Sequence, residues 1–303
     1  MDWDARQMKL ATLASLLRNG PAHLLVRSAE LSRLRDERDR ILRSLEKLRL
    51  GRSVPPGLCG RQLCFMHIGK TAGTSVQHTL LEAMAGAAIF HESLENFDVV
   101  SAAELSINDL VIGHFTYQHV KKLRPDRLLM TFLRDPVERV ISNYSFLRSE
   151  SPMSNYSRKA IEAARALTLR EFLLCEEPAV RMVTANCQAK WLAYDIRPEY
   201  QSRISSLQGE AERNLASFDF VGIVEYFSES ITALSQEIGV ELVIKRLNVT
   251  GARFSEPPAS SEDIELIRRM NAVDIALYQG ARRKFERVHF AANVRARELY
   301  RGR

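Results

Sequence analysis

The sequence predicts an α/β fold: a central parallel sheet with helices on both faces, preceded by an N-terminal helical arm. Apolar segments of strand length alternate with segments of helical periodicity from residue 63 to residue 227, which is typical of parallel sheets. Residues 1–52 instead carry a basic helical pattern, and Pro55, Pro56 and Gly57 follow it. The 303 residues suffice for one large domain with an appendage. We therefore expect an arm at 1–52, a linker at 53–60 and an α/β domain at 61–303.

The composition excludes several classes of protein. Hydrophobic residues make up 46% and charged residues 26% of the chain, as in soluble globular proteins, so fibrous and wholly disordered chains are excluded. The sequence has no apolar run long enough for a transmembrane helix and no secretory signal pattern. Its four cysteines are too few and too scattered for a disulfide framework. These observations predict a reducing, cytoplasmic location.

The positive charge is concentrated in the arm. Residues 1–52 contain twelve Lys and Arg against seven Asp and Glu, which leaves +5 of the total net charge of +6 in this segment. The rest of the chain is close to neutral. A nucleic-acid-binding surface on the main domain is therefore not expected.

The sequence of the arm predicts two helices. Residues 4–18 form a short basic amphipathic pattern that ends at Asn19-Gly20-Pro21. Residues 24–48 follow a heptad, and six of its eight seam positions are apolar: Leu24, Leu31, Arg38 and Leu45 on one position, and Arg27, Leu34, Ile41 and Leu48 on its partner. Three interpretations stay open: packing on the chain's own domain, self-association through a coiled coil, and contact with an anionic membrane surface.

A phosphate-binding loop follows the first apolar strand. The strand-length segment LCFMHI (63–68) precedes GKTAGTS (69–75), and residues 76–85 have helical apolar spacing. Loop amides and a helix N-terminus attract anions, Lys70 adds a full charge, and Thr71, Thr74 and Ser75 add hydroxyl groups. This order of strand, loop and helix predicts an anion site.

The loop does not match the motif of P-loop kinases and NTPases. That motif requires a glycine five residues before the glycine of Gly-Lys-Thr, and Cys64 stands at this position. Gly73 follows the lysine instead. A kinase on the same core fold is therefore the second hypothesis, and it would need ATP and Mg²⁺.

A second motif stands at residues 131–144, TFLRDPVERVISNY. It reads as the end of a strand, a proline in the first turn of a helix, and an amphipathic helix. Arg134 is at the carboxyl end of the strand, where ligands bind in open α/β sheets, and Ser142 is two helical turns further.

Together the two segments resemble the nucleotide-binding motifs of sulfotransferases that use 3′-phosphoadenosine 5′-phosphosulfate (PAPS). The similarity is greatest to carbohydrate O-sulfotransferases of the heparan-sulfate 2-O and 6-O type. The lack of a membrane anchor in the sequence predicts a bacterial member rather than a Golgi enzyme. The similarity covers roughly residues 61–290, with Gly69 and Ala72 at positions where the family often has Pro and Gly. The resemblance implies that Lys70, Thr71, Gly73, Thr74 and Ser75 bind the 5′-phosphosulfate, and that Arg134 and Ser142 bind the 3′-phosphate.

The resemblance also implies the chemistry: PAPS as co-substrate, no metal, Lys70 at the leaving oxygen, and a histidine as base. Residues 110–115, LVIGHF, place His114 after a glycine at a strand end, and an imidazole suits proton abstraction from a hydroxyl near neutral pH. His91 is the second candidate base. We expect His67 to be a packed residue that positions the loop, and His119 to be a surface residue.

The acceptor is expected to bind near residues 145–200. Four cations there or nearby either line this cleft or are solvated charges: Lys121, Lys122, Arg148 and Lys190. Asn186 and Gln188 face the acceptor or the nucleotide, or are structural, and residues 245–253 form a late loop over the nucleotide. The predicted acceptors are, in order, saccharide, glycolipid, small metabolite and protein tyrosine. A third hypothesis is a catalytically silent nucleotide-binding scaffold.

Overall fold

A five-stranded, all-parallel sheet forms the centre of the structure. The structure, a computed structural model, describes residues 58–149, 157–193, 206–244 and 259–301, with side chains up to residue 290. The predicted arm, its coiled coil and most of the linker lie outside these residues and stay predictions. The strands are β1 (Gln62–Met66), β2 (Ile89–Glu92), β3 (Leu110–Gly113), β4 (Arg127–Leu133) and β5 (Phe220–Ile223), in the spatial order β2-β3-β1-β4-β5.

Helices surround the sheet, so the predicted α/β class is confirmed. In chain order they are α1 (Gly73–Ala83), α2 (Leu94–Val99), α3 (Ala102–Ser106), α4 (Pro136–Arg148), α5 (Arg158–Ala166), α6 (Leu169–Leu174), α7 (Pro178–Thr184), α8 (Cys187–Ala193), α9 (Leu207–Leu215), α10 (Phe227–Ile238), α11 (Ser261–Met270) and α12 (Ala272–Arg301). Two short 3₁₀ turns, Tyr117–Lys122 and Val224–Tyr226, follow β3 and β5. Among the helices of the described ranges, none is long and apolar enough to cross a membrane.

Strand β1 lies in the middle of the sheet, where neither of its faces contacts solvent. Each side chain of β1 is fully buried, and successive side chains point to opposite faces, so other layers cover both faces. Gln62 is the polar exception. Its side-chain amide donates hydrogen bonds to the carbonyls of Leu105 (2.7 Å) and Asn108 (2.8 Å), which satisfies the buried group.

A second, smaller core lies within the helices that follow β4. Buried residues of α4, α5, α6 and α7 pack against one another apart from the main core: Tyr144, Leu147, Ala160, Ala164, Phe172, Val180 and Val183. This helical cluster spans residues 144–183 and therefore overlaps the segment 145–200, where the sequence predicts the acceptor cleft.

The strand register brings three carboxyl ends to one edge of the sheet. Met66 of β1 pairs with Gly113 of β3 on one side and with Thr131 of β4 on the other. The residues that follow these strands therefore share this edge. They include the phosphate loop, His114 and Arg134.

His119 is a buried structural residue, so the prediction of a surface position is wrong. The side chain of His119 is 3% exposed. Its Nδ1 accepts a hydrogen bond from the backbone N–H of Thr116 (3.2 Å), and its Nε2 therefore donates to Asp98 Oδ1 (3.0 Å). This network caps the 3₁₀ turn that follows the strand carrying His114.

Replacing His119 by Leu should destabilise the fold most strongly at alkaline pH. The variant leaves the Thr116 N–H without its acceptor, which costs about 1–3 kcal/mol. Burial lowers the pKa of His119, so the unfolded chain binds a proton more readily than the folded one. The wild-type protein therefore loses this contribution as the pH falls below about 6.5, and the difference between the two proteins should shrink.

Urea unfolding between pH 8 and pH 5 measures this difference. His78→Leu, which changes an exposed histidine on α1, is the matched control and should unfold like wild type. A His119→Leu difference that stays constant over the whole pH range would contradict the assignment.

Candidate functional site

The phosphate loop is held in a strained backbone conformation. It connects β1 to α1, and two of its non-glycine residues have positive φ, Lys70 at 69° and Ala72 at 59°. Each such residue costs about 1–3 kcal/mol, and strain of this kind is typical of ligand-binding loops. The surrounding contacts therefore fix the shape of the loop.

The N-terminus of α1 is open to an anion. Its N-cap residue is Ala72, which has no polar side chain to cap the helix, and the first turn contains no acidic residue. Unpaired N–H groups and the helix dipole make such a terminus attractive to negative charge. Thr74, in the first turn, is partly exposed. The start of α1 thus has the features of an anion site, and its assignment to the 5′ side of a nucleotide stays a prediction.

Thr71 stabilises the loop from within. It is fully buried, and its hydroxyl donates to the carbonyl of Ile68 (2.8 Å). Its hydroxyl hydrogen is therefore engaged inside the loop. Ser75 is also buried, and its N–H bonds to the carbonyl of Ala72 (3.0 Å) as α1 begins.

Lys70 places its ammonium group in a low-dielectric environment. The Nζ atom lies 4.0 Å from the ring centroid of Phe146 on α4, a cation–π contact. Burial, and then the positive charge of Arg134, lower the pKa of Lys70 to about 8. A bound anion would relieve this electrostatic cost, so the ammonium group favours a negatively charged ligand.

Arg134 joins the end of β4 to the phosphate loop. Its Nη1 donates to the carbonyl of Lys70 (3.4 Å), and its Nη2 lies 3.7 Å from Glu138 Oε2. The side chain remains 24% exposed, and burial lowers its pKa. The two predicted anion-binding cations thus come from neighbouring strand ends, and the guanidinium group of Arg134 contacts the backbone of Lys70.

The side chain of Gln188 fixes the backbone of Arg134. Its Oε1 accepts from the Arg134 N–H (3.0 Å), and its Nε2 donates to the Arg134 carbonyl (2.9 Å). Gln188 thereby pairs with the end of β4 as a neighbouring strand would. It acts as a structural residue, one of the two interpretations that the sequence allowed.

Helix α4 begins as the sequence predicts. Asp135 caps the helix by accepting hydrogen bonds from the N–H groups of Val137 and Glu138, and Pro136 occupies the first turn. Ser142 follows two turns later and is partly exposed, without a hydrogen-bond partner among the described residues. Its hydroxyl is available to a ligand.

His114 carries an imidazole with a defined tautomer. Its Nδ1 lies 2.8 Å from the carbonyl oxygen of His67, which can only accept, so Nδ1 holds the hydrogen and Nε2 keeps a lone pair. The ring stacks on that of His67, with centroids 4.3 Å apart, and meets Trp191 edge-on at 5.8 Å. Burial lowers the pKa of His114, so the ring is neutral near pH 7.

Glycines on both sides of the site leave room for these contacts. A Cβ atom on Gly113 would lie 2.1 Å from the carbonyl oxygen of Glu92 on the neighbouring strand. A Cβ atom on Gly73 would lie 1.8–1.9 Å from the ring of His67. Glycine at these positions is therefore a packing requirement.

The second candidate base, His91, lies on the edge strand β2 and is exposed, with its pKa lowered by partial burial. His91 pairs in register with Ile112, two residues before His114. No described hydrogen bond fixes its tautomer, in contrast to His114.

Three of the four cations considered for an acceptor cleft have structural partners. Lys122 donates to the carbonyls of Phe97, Asp98 and Val100 at the end of α2. The other two are Arg148, which donates to Ala164 O (2.7 Å), and buried Lys190, which donates to Arg181 O (3.4 Å). Lys121 remains exposed. Lys122, Arg148 and Lys190 thus hold backbone contacts within the fold, and a role in an acceptor cleft stays a prediction.

Sequence reasoning missed a reciprocal cap between α8 and α12. Asn186 Oδ1 accepts from the N–H groups of Val273 and Asp274. The buried carboxylate of Asp274 accepts in turn from the N–H groups of Gln188 (3.0 Å) and Ala189 (2.7 Å). The sequence feature that could have indicated this cap is a pair of polar residues, Asn186 and Asp274, within otherwise apolar helical patterns.

Comparisons with known proteins identify the family. A model of the sulfotransferase family matches residues 60–279, and the chain belongs to this family. Sulfuryl transfer is accordingly the general activity. The finer resemblance, to heparan-sulfate O-sulfotransferases, stays a prediction, and the predicted loop at 245–253 lies outside the described residues.

Two solved structures are similar to the chain. A sulfotransferase from Alicyclobacillus acidocaldarius is 17% identical, over 73% of this chain and 95% of that one, with a TM-score of 0.43. Mouse sulfotransferase SULT7A1 complexed with PAP is 10% identical, over 73% of this chain and 70% of that one, with a TM-score of 0.30. No protein with a curated description matches the chain.

The contact between Gly73 and His67 predicts a non-additive pair of substitutions. Gly73→Ala forces the new methyl group into the imidazole and should destabilise the protein by about 1–3 kcal/mol. In a His67→Ala background the space is free, and the same change should cost less than about 0.5 kcal/mol. Chemical denaturation of the four proteins in this double-mutant cycle measures the coupling.

Gly280→Ala is the matched control, because a Cβ atom at this position of α12 meets open space. It should leave stability unchanged or raise it slightly. Additive effects of Gly73→Ala and His67→Ala would contradict the described contact.

Proposed function

We infer that the chain transfers the sulfuryl group of PAPS to a hydroxyl group, most simply on a carbohydrate or glycolipid. In this proposal Lys70 and the start of α1 bind the 5′-phosphosulfate, Arg134 and Ser142 bind the 3′-phosphate, and His114 is the general base. The observation that carries the proposal is the bond from His114 Nδ1 to the carbonyl of His67, which leaves Nε2 able to accept a proton at the same sheet edge.

Two adjacent anion-binding elements support a nucleotide that carries phosphate groups at two positions. The loop and α1 offer N–H groups and the Lys70 ammonium, while the end of β4 and the exposed side of α4 offer Arg134 and Ser142. Arg134 contacts the loop through the Lys70 carbonyl (3.4 Å), so the two elements are neighbours. A nucleotide with phosphate groups on both its 3′ and 5′ positions matches this pairing.

In the proposed mechanism, His114 and Lys70 assist the two bond changes of the transfer. His114 Nε2 takes the proton of the acceptor hydroxyl, whose oxygen forms the new bond to sulfur. The bond between sulfur and the 5′-phosphate oxygen breaks, and the electron pair stays on that oxygen. The Lys70 ammonium stabilises the negative charge that develops there, and adenosine 3′,5′-bisphosphate leaves.

The proposal includes three further features, and each rests on the sequence patterns. They are the class of the acceptor, a cytoplasmic location in a bacterium, and contacts of the arm with a membrane or a second copy. Within the described ranges, no group of three or more His, Cys, Asp or Glu side chains is placed to hold a metal ion. The proposal assigns no role to a metal.

Arg134→Gln should weaken binding of the 3′-phosphate selectively. A hydrogen bond to a charged group contributes about 1.5–3 kcal/mol, so affinity for adenosine 3′,5′-bisphosphate should fall at least about tenfold. Affinity for adenosine 5′-phosphate, which lacks the 3′ group, should fall less than about threefold. Isothermal titration calorimetry measures both, and Ser142→Ala should produce a smaller loss of the same selectivity.

Glu138→Gln is the matched control, since it changes the exposed carboxylate beside Arg134 without removing the guanidinium group. Its affinity for the bisphosphate should stay the same or rise. Equal losses for both nucleotides in Arg134→Gln would exclude a 3′-phosphate role.

His114→Gln should slow transfer strongly while the nucleotide still binds. Loss of a general base lowers kcat by about 10²–10⁴-fold, and the substitution leaves Lys70 and Arg134 in place. Mass spectrometry of sulfated products from PAPS measures the rate with a panel of saccharides, glycolipids, small hydroxyl metabolites and tyrosine peptides. His91→Gln, which changes the second candidate base, is the control and should retain activity.

The same assay distinguishes His114 from His91 as the base, and an active enzyme from a non-catalytic scaffold. Transfer that survives in His114→Gln and disappears in His91→Gln would move the base to His91. Tight nucleotide binding without transfer to any class of acceptor would instead favour the non-catalytic scaffold.

A further inference from the structure

His67 lies between the phosphate loop and the base. It is the first residue after β1, and its N–H donates to the carbonyl of Gly113 (2.9 Å). Its own carbonyl accepts from the side chain of His114 (2.8 Å). The backbone of a single residue therefore fixes both the end of β3 and the tautomer of His114.

The ring of His67 makes three further contacts. It stacks between Phe65, at 5.7 Å, and His114, at 4.3 Å, with interplanar angles of 13° and 26°. Its edge fills the space that a side chain at Gly73 would need, at the first residue of α1. The ring of His67 thus contacts Phe65 of β1, the candidate base His114 and the first residue of α1.

Packing alone does not explain an imidazole at this position. His67 is 8% exposed, and no hydrogen bond to its ring nitrogens is described within the part of the chain that the structure covers. Burial desolvates the imidazole, so an aliphatic side chain would fill the same space at lower cost. A flat aromatic ring is, however, the shape that can stack against His114 and still fit beside Gly73.

We propose that His67 is a positioning residue for the transfer site, whose ring holds His114 in its base-competent orientation and ties that base to the first turn of α1. The proposal rests on His114 being the base of the proposed function. His67 acts through His114 and Gly73, and it takes no part in proton transfer itself.

Electrostatics around the two rings are consistent with this role. Burial lowers the pKa of both histidines, and a positive charge on His114 would lower the pKa of His67 further. The remaining titratable neighbours that act on them are His91 on β2 and Lys70 in the loop, and both lower the pKa of His67. The stacked pair is therefore neutral near pH 7, which keeps Nε2 of His114 free to accept a proton.

The test compares His67→Ala with His67→Phe in the full chain. The Ala variant removes the ring beneath His114, so the imidazole gains solvent and alternative rotamers. The Phe variant keeps a flat ring and the stacking contact. Nitrogen-15 NMR of the histidine side chains measures the tautomer and the titration of His114 without nucleotide or acceptor, so it does not depend on the activity.

In His67→Ala, the His114 signals should change from the single Nδ1–H form to a mixture of tautomers. The titration midpoint of His114 should also rise by about half a unit or more towards the ordinary imidazole value. In His67→Phe, the His114 signals should be those of the wild-type protein. His119→Ala is the matched control, because it removes another buried histidine and should leave the His114 signals unchanged.

The result that overturns the proposal is a folded His67→Ala protein in which His114 keeps its wild-type tautomer and midpoint. If this variant does not fold, His67→Leu replaces it, since Leu fills the volume without a flat ring, and the same two outcomes apply. Failure of the proposed function would be seen separately, as absence of binding of adenosine 3′,5′-bisphosphate to the wild-type protein.

Discussion

Parallel pairing of β1 between β3 and β4 is the constraint on which the site depends. Because Met66 is level with both Gly113 and Thr131, the chain leaves the three strands at one edge. Hydrophobic burial of β1 on both of its faces holds this register, and a slip of one residue would turn every side chain of the strand to the opposite face. The phosphate loop, His114 and the guanidinium group of Arg134 are thus brought together by the sheet core.

A shell of polar side chains makes this edge rigid. Gln188 pairs with the backbone of Arg134, and Glu225 accepts from the N–H of Asp135 (3.0 Å) and from the hydroxyl of Tyr278 (2.8 Å). Asp274 caps the helix that carries Gln188, so α12 supports the end of β4 through two separate connections. Rigid support of this kind keeps charged groups in position before a ligand binds, which lowers the cost of binding.

Local patterns in the sequence predicted the fold class, the phosphate loop, the start of α4 and the strand-end positions of His114 and Arg134. These features depend on residues close in sequence, such as Asp135-Pro136 at a helix start. The carbonyl partners of Lys122 and Arg148 and the contact of His119 with Asp98 were not predictable, because each joins two different elements. The same holds for the stacking of His67 on His114, which arises only when β1 and β3 pair. Acceptor recognition depends on tertiary contacts in the same way, so no motif in 145–200 identified it.

The central claim is that this edge binds a nucleotide with a 3′-phosphate, and a thermal-shift titration tests it most directly. The wild-type chain would be titrated with adenosine 3′,5′-bisphosphate in one series and with ATP and Mg²⁺ in another. A ligand at about 100 times its dissociation constant adds about 2.7 kcal/mol of stability, which is a shift of several degrees in Tm. The account predicts that the bisphosphate stabilises the chain and that ATP with Mg²⁺ does not. Stabilisation by ATP with Mg²⁺ alone would contradict it.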